Sequence, residues 1–427
     1  VNPQRQFACD IVNRLRQAGY PSLFAGGCVR DELLGLTPDD YDVATSATPE
    51  QVRAVFGPRR TRAVGESFGV VLVVGPREAG QVEVATFRTE GPYSDGRRPD
   101  SVSYGTPEQD ARRRDFTING MFLDPQTGEV LDFVGGRDDL ASKTVRSIGS
   151  PHVRIAEDKL RMLRAVRMTA RFGFELDAET AAAVQKHSAE LAVVSAERIT
   201  QELKKMLVHF RRAQAMELSR RLELLPWILP ELAPFFGTDG GTSEWQRTLR
   251  LLDALPDPGF ELAFAALLSA VHRPMSPSTD GIRVSAPEWV AALGRRLRLS
   301  NDEIDAVGWL LSQRRGLALP GALSVPQWKR LAASPRFGQL LVFARKESEV
   351  LGESLAGVEA VEAFLRSTSP EDLNPPALLT GEELIAAGMK PGPDFKRWLN
   401  AVRDAQLAGE IETLPQALDL VERLRLR

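Results

Sequence analysis

Apolar residues recur at two different spacings along this chain, and the spacing changes near residue 150. Before that point, short apolar runs are divided by turns. Residues 7–19 carry Phe7, Ile11, Val12 and Leu15 at helical spacing and end at Gly19. Leu23, Phe24 and Ala25 read as a short strand, followed by a tight turn at Gly26 and Gly27. Residues 29–34 read as a short helix. Asp40 and Asp42 then alternate with Tyr41 and Val43, so a strand here turns both carboxylates to one face. Residues 48–56 suit a helix with Pro49 in its first turn. The valine-rich run over 70–74 suits a buried strand, and residues 81–87 alternate with Glu83 among apolar neighbours. A further strand is expected over 130–134.

After Ser150 the period becomes helical and stays so. One helix is expected over 156–172, with Leu160, Leu163, Val166 and Ala170 as its buried stripe. Asp158, Arg161 and Arg164 are three apart and so neighbours along one side, with Arg167 extending the row. Residues 197–207 form another helix, and helices and loops follow from Arg211 onward. The fold class is therefore an α/β head followed by an all-α remainder. The expected divisions are a head over 1–149, a neck over 150–210, a body over 211–340 and a tail over 341–427.

The 427 residues suffice for two to four domains. With 43% hydrophobic and 26% charged residues, the chain has the composition of a soluble globular protein. The net charge of −3 gives no global sign of a nucleic-acid binder, although a local basic stripe can still bind RNA. Cys9 and Cys28 lack metal-knuckle spacing and read as two buried thiols. His152, His187, His209 and His272 do not cluster in sequence, which argues against a histidine-rich metal site. No apolar run is long enough to span a membrane and no signal peptide is evident, so a cytoplasmic protein with no membrane partner is expected.

Chemistry concentrates in the first half. Two like charges side by side on a strand repel unless neutralised, and Mg2+ takes a few carboxylates plus substrate phosphates. Asp40 and Asp42 are the candidate metal ligands, with Glu83 a candidate third carboxylate. Gly26 and Gly27 allow a phosphate close to the backbone of the next helix. Residues 89–110 are rich in Gly, Pro, Ser and charge and read as a mobile loop. Arg112, Arg113 and Arg114 beside Asp115 suit either a solvated turn or phosphate forks.

These stretches resemble one family. Gly26-Gly-Cys-Val-Arg-Asp31 followed by Asp40-Tyr-Asp42 is similar to the head motif of polymerase-beta-type nucleotidyltransferases. The closer resemblance is to class II tRNA nucleotidyltransferases and bacterial poly(A) polymerases. Arg113-Arg-Asp-Phe-Thr-Ile-Asn119 resembles the second motif of that family, and Glu83-Val-Ala-Thr-Phe-Arg88 its third acidic strand. Glu157-Asp-x-x-Arg161 with Leu163-Arg-Ala-x-Arg167 resembles the nucleotide-selecting helix, and 197–207 the neck motif after it. Residues 135–146 resemble the hinge between head and neck, and 379–384 and 390–393 more loosely the body and tail.

The resemblance implies template-independent transfer of nucleotides to an RNA 3′ end, with tRNA, ATP and CTP as partners and Mg2+ as cofactor. Asp40, Asp42 and Glu83 would be catalytic. Gly26, Gly27, Arg30 and Arg114 would grip phosphates, and Asp158, Arg161, Arg164 and Arg167 would contact the nucleotide. Cytosine and adenine both offer an amino donor beside a ring-nitrogen acceptor, whereas uracil and guanine reverse the order. An ionised carboxylate only accepts and a guanidinium only donates, so Asp158 with Arg161 would complement the first two bases. Residues 89–110 match in position a loop that in the family switches cytidine to adenosine addition, and its length argues against addition of cytidine alone. The helix around 260–272 lacks the histidine-aspartate pair of a phosphohydrolase. Alternatives are an enzyme adding only the terminal adenosine, a poly(A) polymerase, or a silent RNA-binding protein. The paired acids argue against the last, and the mixed charge of the C-terminal part against the second.

Overall fold

A computed structural model describes residues 2–63, 69–93, 100–237, 243–271, 288–318 and 323–426. The centre of the 89–110 loop, the 276–281 linker and His272 lie outside the described residues. The chain divides into two compact units, Val1–Ala233 and Pro234–Arg427. The four-part division expected from the sequence is finer than this.

The first unit opens on α1 (Pro3–Gln17), capped by Asn2, whose side chain accepts from the Gln4 and Arg5 N–H groups. Ala8, Ile11, Val12 and Leu15 are its buried stripe. β1 (Ser22–Ala25) leads through Gly26 into α2 (Gly27–Leu33), and β2 (Asp42–Thr45) follows. α3 (Pro49–Phe56) starts with Pro49 and a reciprocal capping box between Thr48 and Gln51. β3 (Thr61–Ala63), β4 (Val70–Val74) and β5 (Gln81–Thr86) complete one side of the sheet.

Next come β6 (Arg88–Glu90) and β7 (Val102–Tyr104), then α4 (Pro107–Arg112). β8 (Phe122–Leu123) and β9 (Val130–Leu131) close the other side. The sheet order is β3-β4-β5-β2-β1-β8-β9. Only the β2–β5 pairing within it is parallel, and it sets Asp42 opposite Glu83. Leu23, Ala25, Ala44, Phe87, Ala111 and Phe122 form a core cluster on this sheet.

Helices then take over: α5 (Gly136–Ala141), α6 (Pro151–Glu157), α7 (Arg161–Phe172), α8 (Ala178–Lys186), α9 (Ala196–Leu207) and α10 (Arg212–Arg221). The second unit holds helices and no strand among its described residues. Inside it, Arg314 is fully buried and donates from Nε to both carboxylate oxygens of Glu347, at 3.0 and 2.9 Å. A separate core around Leu384, Trp398, Ala417 and Val421 lies near its end.

Five expectations need correction. The strand after the glycines begins at Asp42, so Asp40 lies on the approach to it. Residues 89–110 hold more order than a loop: β6 pairs with β7 in antiparallel register, and α4 starts at Pro107. The strand expected over 130–134 stops at Leu131, because the Asp132 carboxylate accepts from the N–H groups of Val134, Gly135, Gly136 and Arg137 and so starts α5. The helix expected over 156–172 is broken at Asp158, which is extended (φ −148°, ψ 106°). Its side chain accepts from the Leu160 N–H at 3.1 Å, a local bond that competes with the helix ladder. Cys28 is buried, but Cys9 is partly exposed, and neither is in a disulfide.

Candidate active site

A cleft of about 660 Å³ is lined by Gly26, Gly27, Asp40, Asp42, Asp158 and eight arginines, among other residues. All sequence-predicted site residues line it except Glu83: Gly26, Gly27, Arg30, Asp40, Asp42, Arg114, Asp158, Arg161, Arg164 and Arg167. Arg88, Glu90, Tyr93, Arg113, Asp115, Asn119, Met168 and Arg171 complete the lining.

Asp40 is exposed, Tyr41 is buried and Asp42 is mostly withdrawn from water, so the alternation survives although only Asp42 is in the strand. Burial, with Asp40 and Glu83 as neighbouring negative charges, pushes the Asp42 carboxyl up to about 7, and Arg114 opposes this only in part. This is a carboxylate in need of a cation. Glu83 sits beside Asp42 in register on β5 but is exposed and outside the lining. Among the described residues no three carboxylate, histidine or cysteine side chains converge as a metal cage. Asp40 and Asp42 therefore suit an ion that takes its other ligands from substrate phosphates and water.

Gly26 has φ +73°, and a Cβ there would lie 2.7 Å from Arg114 Nη1. Its N–H donates to the Met121 carbonyl at 3.2 Å. Glycine thus serves both the left-handed turn and the close passage of Arg114. Arg114 is held from behind, donating Nε and Nη2 to Asp110 Oδ2 at 3.1 and 2.9 Å. Asp110 also accepts from Arg113 at 2.8 Å. Arg30 is buried above the Phe172 ring, with its guanidinium carbon 4.4 Å from the ring centre. It donates to Asp31 at 2.8 Å and to Asn119 Oδ1 at 2.5 Å.

Asn119 relays this to the helical wall. Its Nδ2 donates to Asp115 Oδ1 at 3.1 Å, and Asp115 Oδ2 accepts Nε and Nη2 of Arg164 at 2.8 and 2.6 Å. Burial raises the Asp115 carboxyl, but Arg164, Asn119 and the Phe116 N–H together hold it well below the usual carboxylate range. Arg167 in turn donates to Glu202 at 2.5 Å.

Asp158 and Arg161 share the cleft and are joined through the backbone, the Arg161 N–H donating to the Asp158 carbonyl at 3.1 Å, but their side chains take other partners. Asp158 accepts from both Nη atoms of Arg198, at 3.1 and 2.7 Å, while Arg161 donates to Glu157 Oε2 at 2.5 Å. Asp158 is extended at the end of α6 and Arg161 opens α7, so the two do not lie on one helix. Sequence reasoning also missed Arg198 and the Glu90 group. Glu90, the last residue of β6, accepts from Arg88, Arg113 and Tyr93. The Asp115–Asn119 spacing inside the second motif was the one available signal for the relay.

Residues 22–146 match the poly A polymerase head domain, and residues 173–236 match the probable RNA and SrmB-binding site of polymerase A. The CCA-adding enzyme of Enterococcus faecalis is 43% identical over 206 residues, which are 48% of this chain and 50% of that protein. In such matches the chain spans about half the length of the curated relative. The CCA-adding enzyme of Limosilactobacillus fermentum is 33% identical over 422 residues, 96% of this chain and 95% of that protein. The structure of the Bacillus stearothermophilus CCA-adding enzyme in complex with CTP matches with a TM-score of 0.77 at 30% identity, covering 100% of this chain and 99% of that one. Nucleotidyltransferases of this kind are generally metal-dependent. The chain belongs to the family of the CCA-adding enzymes.

Proposed function

We propose that the chain adds cytidine and adenosine nucleotides to the 3′ end of tRNA without a nucleic-acid template and releases pyrophosphate. The observation that carries this is the cleft itself, where Asp40 and Asp42 face a wall of arginines. The RNA 3′-oxygen bonds to the α-phosphorus, the bond to the β-phosphate bridging oxygen breaks, and pyrophosphate leaves. Arg114, fixed by Asp110 and passing against Gly26, binds triphosphate oxygens. Arg30 shapes the same wall through Asn119. Asp158, presented by Arg198, accepts from the amino group of cytosine or adenine. Arg161, Arg164 and Arg167 surround the base and sugar.

Asp40 and Asp42 would hold Mg2+, with Glu83 adding negative charge behind Asp42. When bound, that ion would activate the 3′-hydroxyl and neutralise the triphosphate. The finer division into head, neck, body and tail fits this reading, with 150–210 selecting the nucleotide and 341–427 holding tRNA. Among the described residues no helix is long and apolar enough to cross a membrane.

The test supplies each labelled nucleotide singly to purified protein with tRNA ending before CCA or after CC. The proposal expects CTP to extend the first tRNA and ATP the second. Extension of the second alone would establish an A-only enzyme, and long adenosine tails on either would establish a poly(A) polymerase.

A further inference from the structure

Asp40 is the less secured of the two proposed metal ligands. Asp42 opens β2 and is in register with Glu83 on β5. Asp40 lies two residues ahead of that ladder and is exposed. Asp42 meets both Asp40 and Glu83 as like charges, so the acids repel one another until a cation arrives. A pair that must receive an ion needs its segment held against that repulsion.

The residues on either side of Asp40 are tied down. Asp39 accepts from Arg171 of α7 at 3.2 Å, but its side chain is 83% exposed, and ion pairs in water contribute little. Tyr41 is buried, with its ring centre 5.3 Å from that of Phe24. Its hydroxyl donates to Glu32 Oε1 at 3.0 Å. Glu32 belongs to α2, the helix that follows the Gly26–Gly27 turn. Arg5 of α1 grips the same carboxylate from the other side, Nε donating to Oε1 at 2.6 Å and Nη2 to Oε2 at 3.3 Å. That grip aims Glu32 at Tyr41 and offsets its charge, which would otherwise add to the repulsion at the acid pair.

The alternation of the segment gives this chain of contacts its use. Tyr41 points away from the face that carries Asp40 and Asp42. A bond on the hidden face therefore restrains the exposed one without entering the cleft, and Arg5, Glu32 and Tyr41 are all absent from the cleft lining. We propose that Glu32, seated by Arg5, is a positioning residue for the metal ligands: through the Tyr41 hydroxyl it fixes the segment bearing Asp40 and so readies the acid pair for its ion. The proposal deepens the nucleotidyl-transfer reading and rests on its assignment of Asp40 and Asp42 to the metal.

The test compares wild type with Tyr41→Phe, Glu32→Ala, Glu32→Gln and the double variant Tyr41→Phe/Glu32→Ala. Tyr41→Phe keeps the ring in the core and removes only the hydroxyl. Single-turnover extension is measured against Mg2+ concentration. Binding of Mn2+ alone is measured by loss of the free-ion electron paramagnetic resonance signal, and thermal melts report the fold. Tyr41→Phe and Glu32→Ala should each raise the Mg2+ concentration for half-maximal extension by about tenfold and weaken Mn2+ binding in step, with saturating Mg2+ restoring most of the rate. Glu32→Gln keeps an acceptor for the hydroxyl and should lie nearer wild type than Glu32→Ala. The double variant should be no worse than the worse single one, because both break the same link. Wild-type Mg2+ dependence and Mn2+ affinity in Tyr41→Phe and Glu32→Ala, with or without a lower Tm, would overturn the proposal while the transfer reading stands. If the wild type extends no RNA, the transfer reading fails instead, and the Mn2+ titration alone decides whether the link positions a metal site.

Discussion

At the residue scale, two positions in the cleft lining carry the sharpest predictions. Gly26 is held at φ +73° with Arg114 Nη1 2.7 Å from where a Cβ would stand. An alanine would add backbone strain of roughly 1–2 kcal/mol and push the guanidinium aside. Gly26→Ala should therefore lower kcat/KM by about 10- to 100-fold with only a small fall in Tm, if the displaced group binds the triphosphate as proposed. Kinetics with thermal melts as a control checks this, and full activity would show that Arg114 has another place to go. Asp42 is the second position. Its carboxyl stands near 7 in the fold against 3.8 as an isolated group. A raised acid pKa means the folded form holds the proton more tightly, so stability falls as pH rises from about 4 through 7. A divalent cation offsets that loss. Mg2+ should therefore raise Tm more at pH 8 than at pH 6, and an equal rise at both would argue against binding at Asp42. The acid pair and the glycine turn were legible in the sequence, because period and turn chemistry are local. The Asp42 environment was legible only in part: Glu83 was named as a third carboxylate, but its position beside Asp42 and outside the cleft lining follows from the β2–β5 pairing.

At the scale of elements, the break between α6 and α7 matters most. Apolar spacing alone gave one helix, and the buried stripe of Leu160, Leu163, Val166 and Ala170 was right. What the pattern could not carry was the tertiary partner of Asp158. Arg198 reaches it from α9, forty residues on. Asp158→Ala should reduce discrimination against UTP and GTP as well as overall rate, since each lost charged hydrogen bond is worth roughly 1.5–3 kcal/mol. Arg198→Ala should show the same change in selectivity more weakly, because it leaves the carboxylate in place but loosely held. Comparing kcat/KM for all four nucleotides tests both. Full rejection of UTP and GTP by both variants would make the pair a structural tie alone. The β6–β7 hairpin was hidden for a different reason. Its strands are three residues each, and Arg88 and Glu90 are joined by charge where an apolar period would have been visible.

At the scale of the whole molecule, a net charge of −3 coexists with a cleft lined by eight arginines. Local charge governs the encounter with RNA, so binding of tRNA should weaken steeply as salt rises despite the acidic total. A salt titration that left affinity flat would contradict this. The central claim is that the Asp40–Asp42 pair drives transfer while other surfaces hold the RNA. Single-turnover extension by Asp42→Asn, alongside direct tRNA binding, tests it most directly. The account predicts a fall in extension of about a thousandfold or more, with tRNA affinity within about twofold of wild type. Extension near the wild-type rate, or loss of binding in proportion to loss of extension, would contradict it.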